Sequence, residues 1–127
     1  MTKARLARGA AKFAAAAILA SLASPILAQA WPDKPVRVVV PSPPGGNVDS
    51  AGRIIGAKLQ EMFKQPFLID NKPGAGGMIA AESVAKAKPD GYTLFLGANG
   101  PILFSPMIYK KNSYDWKKDF VPISSVS

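Results

Sequence analysis

The chain has neither cysteine nor histidine among its 127 residues. Without cysteine it forms no disulfide and offers no thiol for a lipid anchor. Without histidine, a Ser-His-Asp triad, a Cys-His pair and the usual zinc ligand sets cannot be assembled within it. Long apolar runs are also missing. The longest, Phe13 to Leu22, has 10 residues, half of the roughly 20 that cross a bilayer. Acids are few, at 8 Asp and Glu against 16 Lys and Arg.

Part of the positive excess belongs to a leader. Lys3, Arg5, Arg8 and Lys12 precede the apolar run, Pro25 breaks it, and Ala28-Gln29-Ala30 fits a small-x-small cleavage site. Residues 1–30 therefore read as a secretory signal peptide cut before Trp31, and the run is too short for a membrane anchor. Arg5 and Arg8 are not adjacent, so a twin-arginine signal is not expected. Removing four of the 16 cations leaves 12 against 8 acids, a net +4 on residues 31–127. The cations are scattered, paired only at Lys110-Lys111 and Lys117-Lys118, which read as solvated surface. A nucleic-acid partner is not expected, because it calls for a dense basic patch with interleaved aromatics. A mild positive field suits a small anion.

What the remaining sequence does contain is a repeated pattern. Val36 to Val40 is a β-branched run followed by Pro43-Pro44-Gly45-Gly46 and a helical period from Asn47. Phe67 to Asp70 is a second apolar run, followed by Pro73-Gly74-Ala75-Gly76-Gly77 and a helical period from Met78. Gly46 and Gly77 lie 31 residues apart, about the length of one βαβ unit. Val36 to Val40 is too continuously apolar for a half-exposed strand and suits a parallel strand covered on both faces.

Val48, Ala51, Ile54, Ile55, Leu59, Met62 and Phe63 recur at three- and four-residue steps, which predicts a first helix burying that face and stopping before Pro66. Asn47 suits its N-cap and Asp49 its first turn. Met78, Ile79, Ala81, Val84 and Ala85 predict a short second helix. Pro89-Asp90-Gly91 is a turn, Tyr92 to Leu96 a third strand, and Gly97-Ala98-Asn99-Gly100-Pro101 a further strand-end loop. Ile102 to Met107 is expected to make a helical turn, Asp115 to Lys118 to be helix-like, and Val121 to Val126 to begin another strand. The order β-α-β-α-β gives an α/β fold with an open, mostly parallel sheet. The strand ends near Ser42, Asn71 and Gly97 should converge on one edge.

Glycine turns opening helices can hold a carboxylate or phosphate on backbone N–H groups, aided by the positive helix end. They can equally be tight βα turns with structural duty alone. A dinucleotide site is not expected: the third glycine of Gly74-x-Gly76 would fall at position 79, which is Ile79. No phosphate-loop motif occurs either. Asp49, Asp70, Glu82 and Asp90 show no partner at short spacing, so no catalytic residue, cofactor or metal is expected.

Trp31-Pro32-Asp33-Lys34-Pro35 with Val36 to Pro41, then Pro43-Pro44-Gly45-Gly46 with Asp49, resembles the tripartite tricarboxylate transporter substrate-binding proteins, the Bug family. So do Asp70 to Gly77, Ala80-Ala81-Glu82, Pro89 to Leu94, Tyr114-Asp115, Asp119-Phe120 and Pro122-Ile123-Ser124. The resemblance covers residues 31–127 in order.

It implies a periplasmic-binding-protein-like fold of type II, a periplasmic location, and a non-enzymatic solute receptor that takes a small organic carboxylate to the membrane permease subunits of the transporter, as a monomer. The ligand positions it implies are Pro44, Gly45, Gly46 and Asn47 in the first turn. In the second they are Gly74, Ala75, Gly76, Gly77 and Met78, and in the third loop Ala98, Asn99 and Gly100. Ser42 stands where the family commonly has an aromatic, and Met78 where a small polar residue is usual. Family members are roughly three times the length of residues 31–127, as two ordinary lobes require. The chain is thus expected to be the first part of lobe one, with marginal stability in isolation. The alternatives are a non-functional gene fragment or an exported enzyme.

Overall fold

The computed structural model describes residues 30–109 and 113–126. Apart from Ala30, the expected leader lies outside the described residues. The elements are β1 (Val36–Val40), α1 (Asn47–Phe63), β2 (Phe67–Asn71), α2 (Met78–Ala85), β3 (Thr93–Phe95) and α3 (Ser105–Ile108). A 3₁₀ turn (Ala75–Gly77) leads into α2, and a π-turn (Gly100–Phe104) leads into α3. The chain is α/β, with a parallel three-stranded sheet in the order β2-β1-β3. β1 is the central strand. Val36 faces Phe67 and Val40 faces Asn71 on one side, while Val38 faces Leu94 on the other.

The central position explains the β1 sequence. Val36, Val38, Val39 and Val40 are all buried, so both faces of the strand are covered, as a continuous β-branched run requires. Val36, Val38, Val40 and Phe67 form the core, with Leu59, Ile69, Tyr92, Leu94 and Leu96 packed around it. β3 is shorter than the expected Tyr92–Leu96, although both neighbouring residues still bond to β1. Tyr92 O accepts from Arg37 N at 2.9 Å and Leu96 N donates to Val39 O at 3.0 Å.

The face that α1 buries overlaps the one its apolar period predicts but is rotated from it. The buried residues of the helix are Asp49, Gly52 and Gly56, while Ile54 and Met62 are 68% and 72% exposed. A Cβ on Gly52 would stand 3.1 Å from Leu96 Cδ2 and 3.4 Å from Val40 Cγ2, and one on Gly56 3.4 Å from Ile69 Cδ1. The two glycines, one turn apart, bring the helix backbone down onto the sheet. Val48 and Leu59 of the expected face still pack on the core, so close approach of the backbone shifts the buried face by part of a turn and leaves Ile54 and Met62 outside it.

Three further expectations are corrected. Asn47 is not the N-cap of α1: Gly46 is, and Asn47 begins the helix with its Oδ1 taking the Val48 N–H at 2.8 Å. Asp115 to Lys118 makes a single turn, with the N–H groups of Lys118 and Asp119 both donating to Asp115 O. Val121 to Val126 forms no strand. Phe120 anchors the segment on the Phe95 ring, at 5.7 Å between centroids, which is a side-chain contact without a ladder. Pro122 also has no N–H to give to one.

Candidate functional site

In a parallel sheet the carboxyl ends of the strands share one edge, and the loops leaving them meet there. Ser42, Asn71 and Gly97 do lie at that edge, and Asn71 Nδ2 donates to Ser42 O at 3.0 Å. The same amide donates to Asp49 Oδ1 at 2.9 Å. Asp49 Oδ2 also accepts the Gly45 N–H at 2.8 Å and the Arg53 Nε–H at 2.9 Å. One side chain, 3% exposed, thus ties the first turn, the first helix and the end of β2 together. Hydrogen bonds from Arg53, Gly45 and Asn71, in that order, outweigh the cost of burial and hold the Asp49 carboxyl at about 2.

The second turn and the third loop meet at Gly77. Its φ is +91°, and a Cβ there would stand 2.9 Å from both Pro41 Cβ and Pro101 Cδ. The chain segments leaving all three strands therefore touch at one buried glycine. Gly100 lies against Gly76, since a Cβ on Gly100 would be 2.8 Å from Gly76 O, and Ser105 Oγ donates to that carbonyl at 3.4 Å. Behind Pro101, the buried Tyr114 hydroxyl donates to its carbonyl. Burial raises the Tyr114 pKa. Tyr114→Phe leaves that carbonyl without its donor and is expected to cost about 1–2 kcal/mol, read as a lower urea midpoint with an unchanged m-value. An unchanged midpoint would show that the bond does not support the loop.

The N–H groups expected to face outward divide into two sets. Those of Gly45, Gly46 and Gly77 are taken internally, by Asp49 Oδ2, Pro43 O and Gly74 O. Met78 N–H returns to Ala75 O. Besides those of Gly74, Ala75 and Gly76 in the second turn, the N–H groups of Asn47 and Asp49 have no internal acceptor among the described residues. They open the 17-residue α1, where the helix end carries about half a positive charge. Beside them runs an open groove of ≈ 210 Å³ lined by Asn47, Val48, Ala51, Leu96, Gly97 and Val126.

Of the twelve positions expected to contact a ligand, Asn47 alone lines this groove. Pro44 and Gly45 sit exposed on the rim of the first turn, with Gly46 half-buried beside them. Gly74, Ala75 and Gly76 are exposed in the second turn, Gly77 is buried and Met78 half-buried. Asn99 is exposed, with Ala98 and Gly100 half-buried, and the third loop packs on the second turn. The structure thus joins the second and third loops directly, and links the first to the second through Pro41 against Gly77 and through Asn71 at the end of β2.

Asp49, Asn71 and Tyr114 build the site without standing among the expected ligand positions. The Asp49–Arg53 spacing of four on a helix is a legible ion-pair signal. The bond between Asp49 and Asn71 spans 22 residues and has no local signal. Ser42 contributes a buried Oγ with no hydrogen-bond partner.

The model of the tripartite tricarboxylate transporter family receptor matches residues 51–127. A UPF0065 protein of Bordetella bronchiseptica is 40% identical over 112 residues, which is 87% of this chain and 33% of that protein. The chain spans about one third of the length of the curated relatives it matches. Among solved structures, MatC from Rhodopseudomonas palustris, with bound malate, superposes with a TM-score of 0.69 and 41% identity over 72% of this chain and 31% of its own. Rpa4515 of R. palustris, with adipate, gives 0.65 and 42% over 67% and 28%. The periplasmic binding protein BugD gives 0.50 and 37% over 51% and 22%. A parallel α/β unit with its loops gathered at one sheet edge, matched in this way, belongs to the tripartite tricarboxylate transporter receptor family of solute-binding proteins.

Proposed function

We propose that the chain forms the ligand-facing first part of a receptor that captures a small organic carboxylate and delivers it to the membrane permease subunits of a tripartite tricarboxylate transporter. The observation that carries this reading is its identity of about 40% to two structures that hold malate and adipate. The geometry supports it. A carboxylate placed at the start of α1 meets the free N–H groups of Asn47 and Asp49, and its carbon skeleton meets the apolar groove wall of Val48, Ala51 and Leu96. Pro44, Gly45 and Gly46, residues 74–78 and residues 98–100 form the surrounding rim. Capture needs no chemical step, so no residue is assigned a catalytic role. The leader pattern ending at Ala30 supports export to the periplasm, with Trp31 as the new N-terminus.

Calorimetry tests the reading on two proteins, the purified chain and the chain joined after Ser127 to the corresponding last two thirds of MatC. The joined protein is expected to give saturable heat with malate or adipate, and the chain alone a much weaker response. Absence of binding by the joined protein to both acids, with a cooperative melt proving it folded, would sink the proposal.

A further inference from the structure

We infer that Arg53 is a charge-compensating residue of the carboxylate site, cancelling the charge of the acid on which the first turn is built. The inference rests on the carboxylate-binding reading above. The turn needs an acceptor at Asp49, because the Gly45 N–H and the Asn71 amide both point at its oxygens, at 2.8 and 2.9 Å. The choice of a carboxylate has an electrostatic consequence. Asp49 lies in the first turn of α1, within two residues of the free Asn47 N–H. A full negative charge there exceeds the half positive charge of the helix end. Left alone, it would turn an anion-attracting terminus into a repelling one.

Arg53 sits one turn further along α1, with its Nε 2.9 Å from Asp49 Oδ2, and restores the balance. Its own side chain is 57% exposed and lines no part of the groove. It therefore acts through Asp49, and through Asn71, whose Oδ1 accepts from Arg53 Nη2 at 3.5 Å, and not on the ligand. The other acid at this edge is treated in the same way: Asp70 lies 3.6 Å from Arg37 and 4.0 Å from Lys72. Both acids where the loops converge are thus matched by cations, which leaves backbone N–H groups to decide the sign of the local field.

The test titrates the chain joined to the last two thirds of MatC with malate and with its neutral diamide, following the Asn47 and Val48 amide signals by NMR. Arg53→Met is expected to raise the malate Kd about 5- to 30-fold at low salt, and the difference should shrink at high salt. The diamide should be unaffected. Adding Asp49→Asn to Arg53→Met removes the charge while the Asn amide oxygen still accepts the Gly45 N–H. The lost Asn71 bond weakens acid and diamide alike, so the ratio of the malate Kd to the diamide Kd should return to within about threefold of the parent. Equal weakening of acid and diamide, an unchanged malate Kd in Arg53→Met, or no recovery in the double variant would overturn the inference while leaving the carboxylate reading intact. A folded joined protein that binds neither acid nor diamide would overturn both.

Discussion

Gly77→Val is expected to lower the stability of the chain by about 3–5 kcal/mol, the largest loss of any single substitution at the candidate site. Two effects combine. A β-branched residue at φ +91° costs about 1–3 kcal/mol in backbone strain. Its side chain must also displace Pro41 and Pro101, each 2.9 Å from the added Cβ, at about 1–3 kcal/mol for overpacking. Domains of this size have only about 5–15 kcal/mol in total, so the loop junction should open well before the sheet melts. Gly45→Ala separates the two effects. Gly45 has φ +83° with nothing within 4 Å of an added Cβ, so only strain remains, about 1 kcal/mol. Urea unfolding of both variants checks the pair. A Gly77→Val loss no larger than that of Gly45→Ala would refute the packing account.

Asp49→Asn is expected to flatten the acid limb of the stability curve, leaving the smaller share contributed by Glu82 and Asp115, whose carboxyls are also held below their ordinary values. The Asp49 carboxyl is held at about 2 in the folded chain against an ordinary 3.8. A depressed carboxyl pKa stabilises the fold above the unfolded value, and the benefit is lost as pH falls through the folded one. The parent should therefore lose stability between about pH 4 and pH 2. The variant keeps an oxygen for the Gly45 N–H but loses the ion pair with Arg53 and the acceptor of the Asn71 amide. Its melting temperature at pH 7 should be lower by on the order of 5 °C, and the two curves should converge near pH 2. Thermal melts at pH 7, 4, 3 and 2 decide the matter, and parallel curves across that range would exclude Asp49 as the responsible group.

Much of the fold was legible because the signals are local. The run Val36 to Val40 reads as a strand covered on both faces, and it is the central strand with both faces buried. Gly45-Gly46 and Gly76-Gly77 read as turns that open helices, and each precedes one. The resemblance carried by these motifs agrees with the family to which the chain belongs. Less legible was anything that depends on approach distance. The apolar period of α1 pointed Ile54 and Met62 inward, but Gly52 and Gly56 turn the helix so that its backbone meets Leu96, Val40 and Ile69. Glycine adds nothing to an apolar period, so its packing role is invisible until the sheet is present.

The candidate site divides in the same way. Its address at the carboxyl edge of a parallel sheet follows from the sequence alone, because strand–turn–helix order and right-handed crossovers leave no other place for the two turns. Which backbone donors remain free at that edge was decided only in three dimensions. Gly45 looks in sequence like an open cradle, yet its N–H is taken by Asp49, four residues on. Gly77 looks like a second cradle, yet it is the packed contact between residues 41 and 101. The absence of cysteine and histidine is a fact of composition, so no thiol or imidazole stands anywhere in these 127 residues. The tertiary fold then sets Asn71 against Asp49 and Tyr114 against Pro101, across 22 and 13 residues. Hydrogen bonds over such separations depend on how the whole sheet folds, and local residue patterns carry no trace of them.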